Sequence, residues 1–140
     1  MSRICAVELK ASQAILVALE PHAQSGEVSL LTASKITLED DESIEAMQHF
    51  QHQVQAFANA QSIDTFVIKK RAKKGTMAGG AISFKMEAAI QLSGCANVEL
   101  LSAQSIAAAD KKHHFLRPAT LKKYQEAAFI TACTYLNKFC

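Results

Sequence analysis

Several common signals are missing from this chain, and each absence removes a class of protein. Cys5, Cys95, Cys133 and Cys140 are dispersed with no C-x-x-C pair, which argues against a zinc ribbon or a thioredoxin-type motif. Free, buried thiols in a reducing compartment are expected instead. No apolar run approaches the roughly 20 residues needed to span a bilayer. The opening stretch "MSRICAVELKAS" is broken by Glu8 and Lys10, so it lacks the apolar region of a secretory signal. A cytoplasmic protein without a membrane partner is expected. Glycine (5) and proline (2) are scarce, while hydrophobic residues make up 49% and charged residues 20%, values unlike those of collagen-like or disordered chains. No repeat, low-complexity tract or linker divides the sequence, and its 140 residues are expected to form one domain, 1–140.

Charge of one sign is also lacking overall. Fifteen Lys and Arg are offset by 13 Asp and Glu, leaving +2 and a pI near 8.4, too mild to announce a nucleic-acid partner. The local distribution is sharper. Acids gather in "LEDDESIE" (38–45), and bases gather in "KKRAKK" (69–74) and "DKKHHFLRPATLKK" (110–123).

Periodicity gives the elements. "RICAVEL" (3–9) and "QAILVAL" (13–19) read as a hairpin across "KAS", and "EVSLLTA" (27–33) follows a turn marked by Pro21 and Gly26. Ile44, Met47, Phe50, Val54, Phe57 and Ala58 recur at helical spacing, with Ser43 as N-cap and early acids suited to the helix dipole. "IDTFVIKK" (63–70) has the continuous apolar centre of an inner strand. "GGAISFKMEAAIQLSG" (79–94) reads as a helix ending at Gly94, and "NVELLSA" (97–103) as a fifth strand. A short helical piece is expected at Ser105–Lys111. Pro118 then opens a last helix striped by Leu121, Tyr124, Ala128, Ala132, Tyr135, Leu136 and Phe139. In this reading Tyr124 and most of the seven Phe are core, not base-stacking platforms. The order β-β-β-α-β-α-β-α implies an α/β protein with a mixed five-stranded sheet and helices on both faces, which matches the RNase H-like fold.

Three stretches are similar to the RuvC and YqgF branch of that superfamily. "AVELKAS" ends the first strand with Glu8 where the relatives carry an acid. "TFVIKKR" ends the fourth with Lys69 and Lys70 where an acid is usual, and "QEAAFITACTYL" places Glu126 at the third carboxylate. The whole chain also resembles a family of short bacterial proteins of unknown function with an RNase H-like relationship, through "VELK", "VIKKR" with a following "GG", and "SFK". The resemblance implies a metal-dependent, nuclease-like phosphodiesterase if the chain is active, with Glu8, Lys70 and Glu126 as catalytic residues and Glu8 and Glu126 as magnesium ligands. Two-metal hydrolysis needs several carboxylates converging on two Mg²⁺ ions. A lysine in place of the middle acid points to a degenerate centre. Glu87 or Asp110 reaching in from another element, or a lysine standing in for one cation, would repair it. A structural ion pair between Glu8 and a strand-end lysine is the plainer alternative.

The basic cluster falls where strand four gives way to a helix, the usual ligand edge of an α/β sheet. Lys69, Lys70, Arg71, Lys73 and Lys74, with the N–H groups of Gly79 and Gly80, form a candidate phosphate site, extended by Lys111 and Lys112. Five phosphate contacts would give a salt slope on the order of −4.5 on duplex DNA. Gly75 and Gly80 have the spacing of a nucleotide-binding P-loop, but Ala81 and Ile82 stand where Lys and Ser/Thr are required, so that reading fails. His49 and His52 share a helix face without a further ligand and read as exposed polar residues. His113 and His114 extend the basic segment, and Ser12, Ser83 and Thr131 lack a His and Asp in any recognisable motif. Two functions stay open. One is an RNase H-like protein associated with DNA or RNA through an atypical site. The other is a non-catalytic interaction module that meets a protein partner or a second copy of itself.

Overall fold

A run of apolar residues covered on both faces belongs inside a sheet, and β1 (Ile4–Lys10) and β4 (Thr65–Lys69) both have that pattern. In a computed structural model, which describes residues 3–22, 27–75 and 79–139, the two strands pair in parallel at the centre. β2 (Gln13–Pro21) and β3 (Val28–Thr37) extend the sheet antiparallel on one side, and β5 (Asn97–Leu101) adds a parallel edge on the other. The order is β3-β2-β1-β4-β5. The mixed five-stranded α/β architecture expected from the sequence is therefore present. The expected turn at Gly26, the side chain of Phe139 and Cys140 lie outside the described residues.

Alternation along β1 feeds two cores. Cys5, Val7 and Leu9 face α1 (Ile44–Gln61) and α2 (Ala81–Gln91), where Phe50, Val54, Met86 and Ile90 are buried. Ile4 and Ala6 face α3 (Ala103–His113) and α4 (Glu126–Phe139), where Ala128, Phe129 and Ala132 close over them. Full burial of a side chain such as Phe50 or Phe129 contributes about 1.5–3 kcal/mol. Ser43 caps α1, accepting the Ala46 N–H as expected, while Gln51 and Gln55 donate to the Ala89 and Ser93 carbonyls and tie α1 to α2. Ile44, expected on the buried stripe, is 72% exposed because α1 begins before it reaches its partner helix.

Two expectations about the C-terminal third need correction. The short helical piece is a full helix, α3, capped by the Ser102 hydroxyl and burying Ile106 alone. Pro118 does not open α4; its carbonyl accepts the Leu121 N–H in a turn, and α4 starts at Glu126 after a 3₁₀ turn at Lys123–Gln125. The chain needs this extra length to return from the far end of α3. Arg117 fastens the return. Its guanidinium grips Asp110 through two bonds of 3.0 and 2.9 Å, donates to the Phe115 carbonyl, and lies 3.7 Å from Glu126. The hydrogen bonds from Arg117 hold the Asp110 carboxyl below its ordinary range.

The β4–α2 connection is likewise closed by specific contacts. Lys70 N–H donates to the Leu101 carbonyl, Gly79 N–H donates to the Ala72 carbonyl, and the Arg71 guanidinium reaches back to the Leu9 carbonyl at 3.2 Å. Arg71 packs so closely that a Cβ on Gly79 would lie 2.4 Å from the Arg71 Cβ.

Gly79→Ala is expected to destabilise the protein by about 1–3 kcal/mol, as overpacking does; an unchanged denaturation midpoint would show that the loop yields freely. Asp110 has a folded value below its unfolded one, so its contribution is complete above the unfolded carboxylate range and fades as pH falls through the folded value. Asp110→Asn should therefore cost no more than about 1 kcal/mol at neutral pH, because the pair is largely solvated. The gap to wild type should close in strong acid. A gap independent of pH would remove the carboxylate charge from the account.

Candidate functional site

Strand register assembles the site. Glu8 lies beside Lys69 across the parallel pair and beside Ile15 across the hairpin, and Ile15 lies beside Lys35. Ala6, Val67, Val17 and Ala33, two positions earlier or later on the same strands, pack into the α4 layer, so all four residues project on that face. A row Lys35–Ile15–Glu8–Lys69 thus crosses four strands, about 14 Å at the usual strand spacing. Glu8 and Lys69 are half-buried, yet among the described residues no ion pair joins them. The structural ion pair weighed from the sequence is not formed.

Glu126 is the first residue of α4, which packs over β1, β2 and β4. Its nearest cation is Arg117. Immediately before it, Gln125 is buried and Tyr124 is 38% exposed. This corrects the expectation that Tyr124 belongs to the core: the 3₁₀ turn ahead of α4 rotates it off the helical stripe that its spacing suggested. The Lys35 ammonium sits 4.7 Å from the centre of its ring. Phe50, Phe66 and Phe129 are buried as expected.

The five bases of 69–74 divide by role. Lys69 projects onto the sheet face, Arg71 is committed to the Leu9 carbonyl, and Lys70, Lys73 and Lys74 are exposed. Gly80 is the N-cap of α2 and supplies no side chain to its first-turn N–H groups; with Gly79 it borders the lysines. Lys10, Lys122 and Lys123 are exposed at the same edge of the sheet. Lys111 and Lys112 are elsewhere. α3 starts next to Leu101, beside Lys70, and carries them to its other end, about 12 Å along the axis. The acidic run 39–42 follows β3 at the lysine edge, but Leu38 packs into the α1/α2 core and Asp41 pairs with Lys85 at 3.1 Å. Asp41 is thereby neutralised on the α1/α2 side of the sheet.

The donor set does not fit two divalent cations. Among the described residues no three His, Cys, Asp or Glu side chains converge, so neither Glu87 nor Asp110 completes a set with Glu8 and Glu126. His49 and His52 are exposed on α1. Burial holds the Cys5 thiol well above its ordinary value and pushes Cys133 up to about 12, so neither thiol is ionised near neutrality. Among the described residues no helix is long and apolar enough to cross a membrane.

Structural comparison finds the same fold in solved proteins. The Thermus thermophilus RuvC structure superposes with a TM-score of 0.75 at 9% identity, covering 97% of this chain and 96% of that one. The T. thermophilus RuvC in complex with a Holliday junction substrate gives 0.71 at 9% identity, with 99% and 97% covered. The Fowlpox virus Holliday junction resolvase gives 0.58 at 12% identity, with 98% and 99% covered. At these identities the likeness is one of fold. Comparison with curated protein sequences gives no match. The family model described as "Protein of unknown function (DUF3010)" matches residues 2–135. The chain belongs to that family, and its architecture is the RNase H-like one of RuvC.

Proposed function

We propose that this protein binds nucleic acid at the carboxyl edge of its parallel strands, through a site that keeps the RNase H-like frame but not its metal-binding carboxylates. One observation carries the reading: Lys70, Lys73 and Lys74 are exposed at that edge, with Lys35 and Lys69 in the row that ends beside them, while the neighbouring Asp41 is paired with Lys85. Ligands of α/β sheets bind at this edge. The solved RuvC and poxvirus resolvase that share the fold hold Holliday junction DNA, which supports nucleic acid as the ligand class. Arg71 serves as a positioning residue that shapes the loop, and Lys70 supplies positive charge near the place where relatives carry an acid. Gly80 lets the backbone approach a phosphate, whereas the Gly79 N–H is already given to the Ala72 carbonyl, which corrects its expected share in a phosphate site. Lys111 and Lys112 would meet only a ligand that extends along α3.

A second reading, a protein-interaction module or homodimer, draws on one feature. An apolar groove of about 360 Å³ between α1 and α2 is lined by Met47, Ala88 and Leu92, the last 78% exposed.

Lys73→Ala combined with Lys74→Ala should weaken oligonucleotide binding regardless of sequence and reduce the salt slope by about 2, near 0.9 for each lost contact on duplex DNA. Absence of wild-type binding even at low salt would favour the interaction module. Metal-dependent cleavage should be absent or feeble, because Glu8 and Glu126 alone are too few hard ligands for a two-ion centre. Robust Mg²⁺-dependent cleavage that Glu8→Gln or Glu126→Gln abolishes would overturn the degenerate site.

A further inference from the structure

From the geometry around the start of α4 we infer that Tyr124 is a stacking platform for an unpaired nucleobase, so that the ligand of this edge is single-stranded or locally unpaired nucleic acid. The inference rests on the nucleic-acid reading above and narrows it to a substrate class. Tyr124 is the large aromatic side chain left exposed among the described residues, whereas Phe50, Phe66 and Phe129 are buried and Tyr135 packs against the α4 core. An exposed ring in a turn that buries its neighbour Gln125 is not needed to fill a core.

The ring is also held in place before any ligand arrives. Gln125 accepts the Lys122 N–H with Oε1 at 2.9 Å and donates from Nε2 to the Tyr124 hydroxyl at 3.3 Å. Lys35, rising from β3, sets its ammonium over the ring face. An exposed cation–π contact of this kind is weaker than the stacking of a base on an aromatic ring, so a base displaces the ammonium. The freed Lys35 then lies beside the nucleotide it has admitted, where its charge meets a phosphate. Lys122 and Lys123 immediately precede Tyr124 and are exposed, and the row through Glu8 and Lys69 leads from Lys35 toward Lys70.

The selectivity follows from what a duplex hides. Each base of an intact double helix has both faces covered by its neighbours, so it has none to offer a protein ring. An unpaired base has a free face, and the contact tolerates any sequence.

The test compares binding of oligonucleotides of about twelve nucleotides, within the range of known single-strand sites, as single-stranded DNA, single-stranded RNA and duplex DNA. Proteins are the wild type, Tyr124→Ala, Tyr124→Phe and the Lys73/Lys74 double alanine variant, each checked for an unchanged melting transition. The expected result is a loss of about tenfold on single strands for Tyr124→Ala, little change on duplex, and retention by Tyr124→Phe, whose ring still stacks. The chain has no tryptophan and two tyrosines, so quenching of tyrosine emission by a single strand, lost in Tyr124→Phe, reports the contact directly. The DNA and RNA arms show which sugar the edge prefers. Binding that depends on Lys73 and Lys74 but is untouched by Tyr124→Ala overturns the stacking role and leaves the nucleic-acid reading standing. No binding of any probe by wild type overturns both.

Discussion

The parallel pairing of β1 with β4 is the constraint on which everything else at the candidate site depends. Because Ile4 pairs with Thr65 and the register runs unbroken to Glu8 and Lys69, the strand-end acid and the strand-end lysine must be neighbours on one face. A slip of one residue would turn every side chain of β4 over, sending Val67 and Lys69 into the α1/α2 core and Phe66 and Ile68 toward α4. Two buried faces hold the register against such a slip. The same pairing sets where the chain leaves β4, and so where Lys70, Lys73 and Lys74 emerge.

Around that centre, cations have been distributed between structural and exposed work. All three arginines are fastened, Arg3 on Glu20, Arg71 on a carbonyl at the end of β1 and Arg117 on Asp110 beside Glu126, and Lys85 is paired with Asp41. Guanidinium suits this because its planar fork satisfies several acceptors at once. The free positive charges at the β4 edge, Lys70, Lys73 and Lys74, are lysines, strongly hydrated points on flexible stems that suit phosphate contacts made without sequence preference. A chain with the fold of RuvC thus presents, at the carboxyl edge of its central strands, a row with one acid and two lysines.

The strands were legible in the sequence because apolar runs of five to ten residues bounded by polar turns have few other solutions, and the inner position of β4 followed from its unbroken apolar centre. α1 and its Ser43 cap were legible for the same reason. α3 was not, since a helix that buries only Ile106 has no stripe to read; its signal lay in the Ser102 cap and the alanines. Tyr124 was misread because its spacing continues the stripe of α4, although the helix has not yet begun at that point.

By itself the sequence determined which segments are strands, that the elements follow one another in an order that matches the RNase H-like fold, and that positive charge gathers where β4 ends. Those are local properties, fixed by periodicity and composition. Only the tertiary structure decided which charges are free. That Arg71 is spent on the Leu9 carbonyl, that Lys111 and Lys112 lie a helix length away, that Asp41 pairs with Lys85, and that Tyr124 meets Lys35 across 89 residues all depend on long-range packing. Chain spacing does not encode such contacts, because strand register and helix placement set them only once the two cores have closed.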